Sequence, residues 1–442
     1  MPSIRRSSCP SVNQLWLGKP VRAFSWTDIR ASLDRRLVLV MAVSIAGVTL
    51  STADQSLFSY AIPDITAEFG IGLEVIGQLL SLSFLAASAT VVMAGLAADH
   101  FGRRRVFVAL LAISSLCAGA HALAPSLWYL GMFRILGFAV GAGLYPIANT
   151  LVVEAAPSRY RGFISGLLQM GYPLGFAFAS LIAAPMIAAY GWRSIFYAGF
   201  VVAALAPVFG WLLPESPKFE QEKSSVDIPT RAADRIRRLF MPDLKRRSLV
   251  CFGGSFLISL AIGSTTYFLP TYLVQAHGFV PAEASRIAGY SYAIGAIGYL
   301  AASYVGEFVT TRRNTLIIWI FAGAVAFAAT LWFAQGEATL ILGLGISIVF
   351  FYGSEAVRMP LIGELFPTAV RATATAITGS LAVTTAWLIS PLLLSYLAPR
   401  LGWATAFTWC AVVPLLLGGL AFLGLVNTPS GDDADSREVV TA

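Results

Sequence analysis

Long apolar segments separated by short polar turns dominate the pattern of this chain. A bilayer core about 30 Å thick needs roughly 20 helical residues. Twelve segments reach that length, at approximately 37–62, 73–98, 104–124, 126–150, 160–187, 192–213, 248–275, 282–308, 313–334, 337–361, 370–397 and 402–426. The pattern predicts an all-α integral membrane protein with twelve transmembrane helices.

The distribution of Arg and Lys orients these helices. If alternate loops share one side, that side holds the N-terminal tail, the loop at 218–247 and most other basic residues. The other side holds Arg193, Arg286 and Arg400. Because Lys and Arg near span ends are retained in the cytoplasm, both termini are predicted to be cytoplasmic, in a plasma (inner) membrane protein.

One long polar connection divides the helices six and six. The predicted units are a cytoplasmic basic tail, a first six-helix bundle, a cytoplasmic linker, a second six-helix bundle and a cytoplasmic acidic tail, at 1–36, 37–213, 214–247, 248–426 and 427–442. The linker stretch 230–240 fits either an amphipathic helix on the inner membrane surface or a solvated basic segment.

Composition supports a membrane protein and argues against an enzyme. Of 442 residues, 57% are hydrophobic and 12% are charged, too few charges for a soluble surface. The net charge of +7 lies in loops and tails, so no nucleic-acid partner is expected. His100, His121 and His277 are dispersed, and no G-x-S-x-G, H-E-x-x-H or phosphate-binding glycine loop occurs. We expect no cofactor or metal, and a monomer whose partners are lipid and a small molecule.

The two halves repeat each other. EAAPSRYRG at Glu154–Gly162 returns as ELFPTAVRA at Glu364–Ala372, and YGWRSIF at Tyr190–Phe196 returns as LGWATAF at Leu401–Phe407. The two repeated segments are separated from their copies by nearly the same number of residues. They predict two pseudo-symmetric six-helix bundles related by an axis along the membrane normal.

The stretch GLAADHFGRRR, between the second and third segments, resembles the loop signature of the major facilitator superfamily. The matching positions are Gly95, Asp99, Gly102, Arg103 and Arg104. The E-x-x-P-x-x-x-R elements resemble those of its sugar porters and its aromatic-acid and metabolite:proton symporters. The resemblance implies transport by alternating access, with a cytoplasmic gate that also includes Glu154, Arg161, Glu364 and Arg371.

Charged residues inside spans are costly and therefore candidates for function. Asp54 and Arg134 lie roughly 27 and 30 Å from the same membrane face, which makes a buried pair plausible. If a substrate carboxylate draws the Arg away, the buried Asp favours its protonated form. Both positions resemble the proton-coupling residues of the symporters, although Ser51 replaces the second Asp usual in aromatic-acid symporters. A static ion pair is the alternative.

Further candidates line the predicted cavity. Glu355 and Arg358 share one helix face and form either a substrate and proton site or a self-neutralised pair. Substrate-binding candidates besides Arg134 and this pair are Gln169, Tyr172, Tyr267, Tyr290 and Trp387.

The sequence therefore predicts proton-coupled uptake of a small carboxylate-bearing metabolite, an aromatic acid or a similar compound. The seventh segment lacks the Gln and Asn cluster with which sugar porters read hydroxyls, since residues 252–274 contain neither. A sugar/proton symporter, an exporter of small organic compounds and a sensor that binds without transport remain alternatives.

Overall fold

The computed structural model describes residues 34–157, 161–215 and 237–425. In these ranges twelve helices are long and apolar enough to cross a membrane. They are α1 Arg35–Phe69, α2 Leu73–Phe101, α3 Arg103–Leu123, α4 Leu127–Ala155, α5 Arg161–Tyr190, α6 Trp192–Leu212, α7 Leu244–Thr266, α8 Pro281–Val309, α9 Arg312–Phe333, α10 Glu337–Leu365, α11 Thr375–Leu401 and α12 Trp403–Leu423. The predicted all-α fold with twelve spans is confirmed. The predicted tails, apart from residues 34–36, and most of the linker, including most of 230–240, lie outside the described residues.

The seventh span differs from its prediction as one helix over 248–275. α7 ends at Thr266, and a second helix, Leu269–His277, begins three residues later. Pro270 has no N–H to donate to the Thr266 carbonyl, its partner in a continuous helix. That carbonyl accepts a hydrogen bond from Tyr292 Oη at 2.9 Å instead. The proline therefore breaks the helix, and a neighbouring side chain satisfies the exposed backbone.

The two groups of six helices pack in the same way. In the first half, α1 packs against α5, α2 against α4 and α3 against α6. In the second half, the equivalent pairs are α7 with α11, α8 with α10 and α9 with α12. The repeat seen in the sequence is therefore a repeat of helix packing.

Two helix pairs, α2 with α11 and α5 with α8, hold the halves together. The internal repeat relates these two pairs to each other. α2 of the first half corresponds to α8 of the second, and α5 of the first half corresponds to α11 of the second. Each pair has a glycine facing a serine: Gly77 packs against Ser395, and Gly289 against Ser180. A side chain on Gly77 would also lie 2.7 Å from the Pro391 carbonyl oxygen, too close for a real contact. These glycines allow the halves to approach closely.

Each end of the molecule has its own polar groups. We call the end where the odd-numbered helices begin, which carries Arg103 and Arg312, the basic end, and the other the opposite end. At the opposite end Trp192 Nε1 donates to Glu68 at 2.7 Å, in the first half. Trp403 Nε1 donates in the same way to Gln275 of the second half at 3.3 Å. The repeated Gly-Trp segments thus dock on the last turn of the first span of their own half.

Large apolar side chains cover the outer surface. Trp128 is 90% exposed, Phe333 83% and Trp211 80%. A surface of this kind is unfavourable in water and favourable in hydrocarbon. The chain is therefore an integral membrane protein.

Candidate functional site

Arg134 lies deep in the first half, on α4. It is 3% exposed, and its Nη1 donates to the Gln55 carbonyl oxygen at 2.9 Å. Its Nε and Nη2 atoms have no hydrogen-bond partner in the described part of the chain. The guanidinium lies 4.5, 4.9 and 5.6 Å from the ring centroids of Phe58, Phe138 and Tyr267. A buried cation with unused donors is unfavourable until an anion or water accepts from it.

Asp54, on α1, faces the same region from another side. It is 4% exposed, and one carboxylate oxygen accepts a hydrogen bond from Ser115 Oγ. Asp54 and Arg134 line one small cavity. No salt bridge joins these two described residues, because Arg134 is held by a backbone carbonyl and aromatic rings while Asp54 is turned towards α3. The direct ion pair expected from their depths is absent in this conformation.

Arg134 also faces an aromatic cluster built by both halves. Tyr267, at the break in the seventh span, has its ring centroid 5.9 Å from that of Phe84 and 6.1 Å from that of Trp387. Phe84 and Trp387 are themselves 5.2 Å apart. The Tyr267 carbonyl accepts a hydrogen bond from Ser59 Oγ of α1 at 2.6 Å. Aromatic faces beside a guanidinium that forms no salt bridge with a described residue form an environment suited to a flat organic anion.

Glu355 and Arg358 form an ion pair on α10. Arg358 Nε donates to Glu355 Oε1 at 3.1 Å, and Nη2 donates to the other carboxylate oxygen. The Arg358 side chain is fully buried and that of Glu355 is 18% exposed. The spacing of three residues places both on one face, so the helix neutralises its own buried cation.

The remaining substrate-binding candidates are not all brought together. Tyr172 packs against Tyr145 with ring centroids 5.4 Å apart, and Gln169 ends the first segment of α5. Both are partly buried. Tyr290 is 49% exposed and does not join the aromatic cluster around Arg134.

Three residues near the buried charges were not identified from the sequence. Phe58 lies four residues after Asp54, and Phe138 four residues after Arg134, so each shares a helix face with the charge. Both aromatic residues can therefore be found from the sequence by this spacing of four residues. His121 lines the cavity as well, and its place in the sequence gives no sign of it.

The first half brings charged residues of the predicted gate together at the basic end. The Arg103 guanidinium lies 3.2 Å from a Glu154 carboxylate oxygen and 3.7 Å from one of Asp99. The backbone N–H of Arg104 donates to Glu215 Oε1 at 3.2 Å. The charged part of the loop signature therefore joins α2, α3, α4 and the chain after α6.

The second half has an equivalent cluster. Arg312 forms ion pairs with Glu364 and with Glu307. Glu307 lies in a π-helical stretch, Val305–Val309, five residues before its Arg, whereas Asp99 lies four before Arg103. The extra residue of the π turn accounts for this difference of one position between the two halves.

Arg161 and Arg371 act locally at the described helix ends. Arg161 Nε donates to the Ala156 carbonyl and Arg371 Nε to the Phe366 carbonyl, each at 3.4 Å. Both acceptors stand immediately before a proline, which cannot continue the helix. In each E-x-x-P-x-x-x-R element the Glu joins the ion cluster, and the Arg satisfies a carbonyl at the helix end.

The two signature glycines differ in what they do. Gly102 has φ +97°, a conformation that residues with a side chain rarely adopt, and it allows the tight turn between α2 and α3. A Cβ at Gly95 would meet no atom within 4 Å. Only the turn glycine has a structural requirement in this conformation.

The halves meet at both ends. At the basic end a Cβ on Gly162 would lie 3.1 Å from Arg312 Nη2, and Phe163 contacts Phe308. At the opposite end Arg400 Nη1 of α11 donates to Glu74 Oε1 of α2 at 3.3 Å. The halves are therefore in contact at both ends in this conformation.

A second cavity, of about 300 Å³, lies within the second half. Its lining residues are Ile262, Thr265, Thr266, Leu269, Tyr292, Phe327, Leu344, Ser347, Ile348, Phe351 and Tyr352. None of them is charged, and the hydroxyls of Thr265, Thr266 and Ser347 are satisfied by their own helices. Of these two cavities, it is the one in the first half whose lining includes polar atoms without a partner among the described residues, on His121 and Arg134.

Solved structures share this fold. The nucleoside transporter NupG superimposes with a TM-score of 0.69 at 15% identity, over 88% of this chain and 99% of its own. A bacterial homologue of the lysosomal transporter Spinster, inward-facing and occupied, gives a TM-score of 0.68 at 16% identity, over 88% of this chain and 97% of its own. At these identities the likeness shows the fold alone.

Relatives by sequence are transporters of organic acids. The cis,cis-muconate transport protein of Acinetobacter baylyi is 26% identical over 73% of this chain and 78% of its own. The putative niacin/nicotinamide transporter of Bacillus subtilis is 26% identical over 87% and 95%, and the 4-hydroxybenzoate transporter of Pseudomonas putida 28% over 74% and 78%. The predicted resemblance to this group is confirmed. Residues 44–377 match the family model described as Major Facilitator Superfamily, and the chain belongs to that superfamily.

Proposed function

We propose that this protein takes up a small aromatic or conjugated carboxylate together with a proton, by alternating access across the plasma membrane. The observation that carries the proposal is the buried guanidinium of Arg134, whose Nε and Nη2 lack a partner among the described residues. A carboxylate matches these donors, because its two oxygens accept from a guanidinium in one plane.

The surroundings of Arg134 support a flat substrate. Tyr267, Phe84 and Trp387 offer ring faces from both halves, so a molecule held there contacts both. The relatives named above carry muconate, niacin or 4-hydroxybenzoate in their names, and each of these compounds joins a carboxylate to a conjugated body. Arg134 serves as the counter-ion of the substrate, and Tyr267 closes over the bound substrate.

Asp54 carries the proton. It shares a cavity with Arg134 without being paired to it. A substrate carboxylate held by Arg134 brings a second negative charge close to the buried Asp54, and this favours the protonated form of Asp54. Substrate and proton therefore bind cooperatively.

Alternating access needs two ends that open in turn. The ion clusters of Arg103 and Arg312 close the basic end, which we assign to the cytoplasm. The Glu74 contact with Arg400 closes the opposite end, which we assign to the outside. Rocking of the halves about α2, α5, α8 and α11 exposes the site to each side in turn.

The test is uptake of labelled carboxylates into proteoliposomes with an imposed pH gradient, comparing the parent with Asp54→Asn. We expect the parent to concentrate one acid and the variant only to exchange or equilibrate it. Asp64→Asn is the matched control, since Asp64 lies on the same helix but does not line the cavity. If Asp54→Asn still concentrates the acid, coupling lies elsewhere and Glu355 is tested next. If a sugar moves and no acid does, the sugar symporter alternative replaces this proposal.

A further inference from the structure

The cavity shared by Asp54 and Arg134 is built entirely by the first half. Its lining residues come from α1, α3 and α4: Asp54, Gln55, Ser114, Ala118, His121, Arg134, Gly137 and Phe138. The space that these residues enclose has room for about one water molecule, far less than the roughly 300 to 1,000 Å³ typical of small-molecule sites. A small cavity with several polar groups suits water, which needs two to four polar partners.

His121 lines this cavity and has a lone pair that is unused among the described residues. It is 3% exposed, and its Nδ1 lies 2.9 Å from the Ala118 carbonyl oxygen, so Nδ1 carries the hydrogen that it donates. Nε2 is then an acceptor, and it has no partner within the described ranges. The ring is fixed by stacking on Phe196 and by an edge contact with Phe58. Cys117, one turn earlier, is the nearest other titratable residue of α3.

His121 lies between the cavity and the opposite end of the molecule. α3 ends at Leu123, which is 58% exposed, so a thin layer separates the imidazole from that surface. Ser115, which donates to Asp54, is six residues earlier and about 9 Å deeper along the helix. A proton that enters from the opposite end therefore meets His121 before Asp54.

Few charged groups face His121. Asp54 of α1 and Arg134 of α4 line the same cavity. The start of α6 also packs against it, but Arg193 there is paired with Glu68 at 2.6 Å. Arg134 disfavours a second lasting cation in the cavity, while Asp54 attracts a proton, so a proton taken up by the imidazole is passed on.

We propose that His121 relays protons between the opposite end and Asp54, through water in the cavity. This inference rests on the proposed function. Water that enters the cavity when the opposite end opens gives a proton to Nε2. Nε2 then gives a proton to the cavity water, which transfers one to the Asp54 carboxylate. The N–H bond at Nε2 breaks as the O–H bond at Asp54 forms. Nδ1–H stays on the Ala118 carbonyl throughout, and the imidazole ends neutral.

The test compares two assays in the same proteoliposomes, with the labelled acid that the parent accumulates. One measures uptake driven by a pH gradient; the other measures exchange at equal pH. His121→Phe keeps a ring on Phe196, His121→Asn keeps a donor for the Ala118 carbonyl, and both lack Nε2. We expect the ratio of driven uptake to exchange to fall about tenfold or more in both variants.

His277→Asn is the matched control, because His277 lies in the second half with Nε2 2.8 Å from Tyr272 Oη. It should keep the parental ratio. The ratio cancels the amount of folded protein, so a poorly folding variant still gives a result. The relay is overturned if both His121 variants keep the parental ratio, which would leave His121 a packing residue. It is also overturned if driven uptake and exchange are lost together, which would place His121 in substrate binding or translocation. A parent that exchanges the acid without accumulating it overturns the proposed function instead.

Discussion

The two halves share their helix packing but differ in their buried charges. On α4 of the first half, Arg134 has donors without a partner and faces Asp54 only across a cavity. On the equivalent helix of the second half, α10, Arg358 is neutralised by Glu355 three residues before it. The same framework therefore holds an available cation in one half and a closed ion pair in the other. What decides between them is whether a carboxylate lies on the same helix face.

At the basic end the halves are alike. Arg103 with Glu154 and Asp99 corresponds to Arg312 with Glu364 and Glu307. Both clusters tie three helix ends of their own half together, where the halves meet. The repeat is thus retained where closure requires matched surfaces and lost where the substrate and proton are proposed to bind.

Removing one partner of the closed pair should have the largest effect. Arg358→Gln leaves the Glu355 carboxylate without its cation, and we expect the free energy of unfolding to fall by roughly 3–5 kcal/mol. Thermal unfolding of the purified protein in detergent measures this. Arg134→Gln is the matched variant of the first half: it leaves no paired carboxylate behind, so its stability should stay near that of the parent.

The double variant Glu355→Gln with Arg358→Gln separates charge from packing. It removes both charges, so we expect it to recover most of the stability lost by Arg358→Gln alone. A double variant as unstable as the single one would mean that the pair does not account for the loss.

Arg134→Lys should have the next largest effect, on transport. The ammonium keeps the charge but cannot donate from a planar fork, so a carboxylate would be held in a different position. We expect the initial rate of acid uptake to fall about 100-fold while the protein remains folded. Arg358→Lys is the comparison, and there stability should change more than substrate affinity. Equal losses of affinity in both variants would contradict the assignment of the counter-ion to the first half.

Hydropathy and helix length were enough to predict the twelve spans, and they place Asp54 and Arg134 at similar depths. Depth gives the height of a residue on its helix, but it does not give the direction of its side chain. The structure turns Asp54 towards Ser115 and Arg134 towards the Gln55 carbonyl, so the expected ion pair did not follow from depth.

Local backbone irregularities explain the other differences between the sequence predictions and the structure. Pro270 divides the seventh span, and its effect is readable from the sequence once the Thr266 carbonyl is considered. The π turn at Val305–Val309 is not readable in this way, because one extra residue moves Glu307 out of the register of the repeat. A cluster that depends on backbone register can be predicted from a motif only where the register is regular.

The smallest predicted effect is on opening of the basic end. It is the difference between neutralising Glu307 and neutralising Asp99, the acids that complete the two clusters there. The Glu307 side chain is 7% exposed and that of Asp99 is 74% exposed. A hydrogen bond from a buried Arg to a buried carboxylate contributes about 1.5–3 kcal/mol, whereas an exposed ion pair contributes about 0.2–1 kcal/mol. Glu307→Gln should therefore favour opening of the basic end more than Asp99→Asn does.

A cysteine placed at Ser303 measures that opening, because Ser303 is 7% exposed and packs against Gly166 of the other half. In a background without Cys9, its rate of reaction with a polar maleimide reports how often the halves separate. We expect Glu307→Gln to raise this rate about tenfold, since tenfold corresponds to about 1.4 kcal/mol, and Asp99→Asn to raise it less. A larger effect of Asp99→Asn would show that the loop of the first half controls closure despite its exposure, and the two clusters would then not be equivalent.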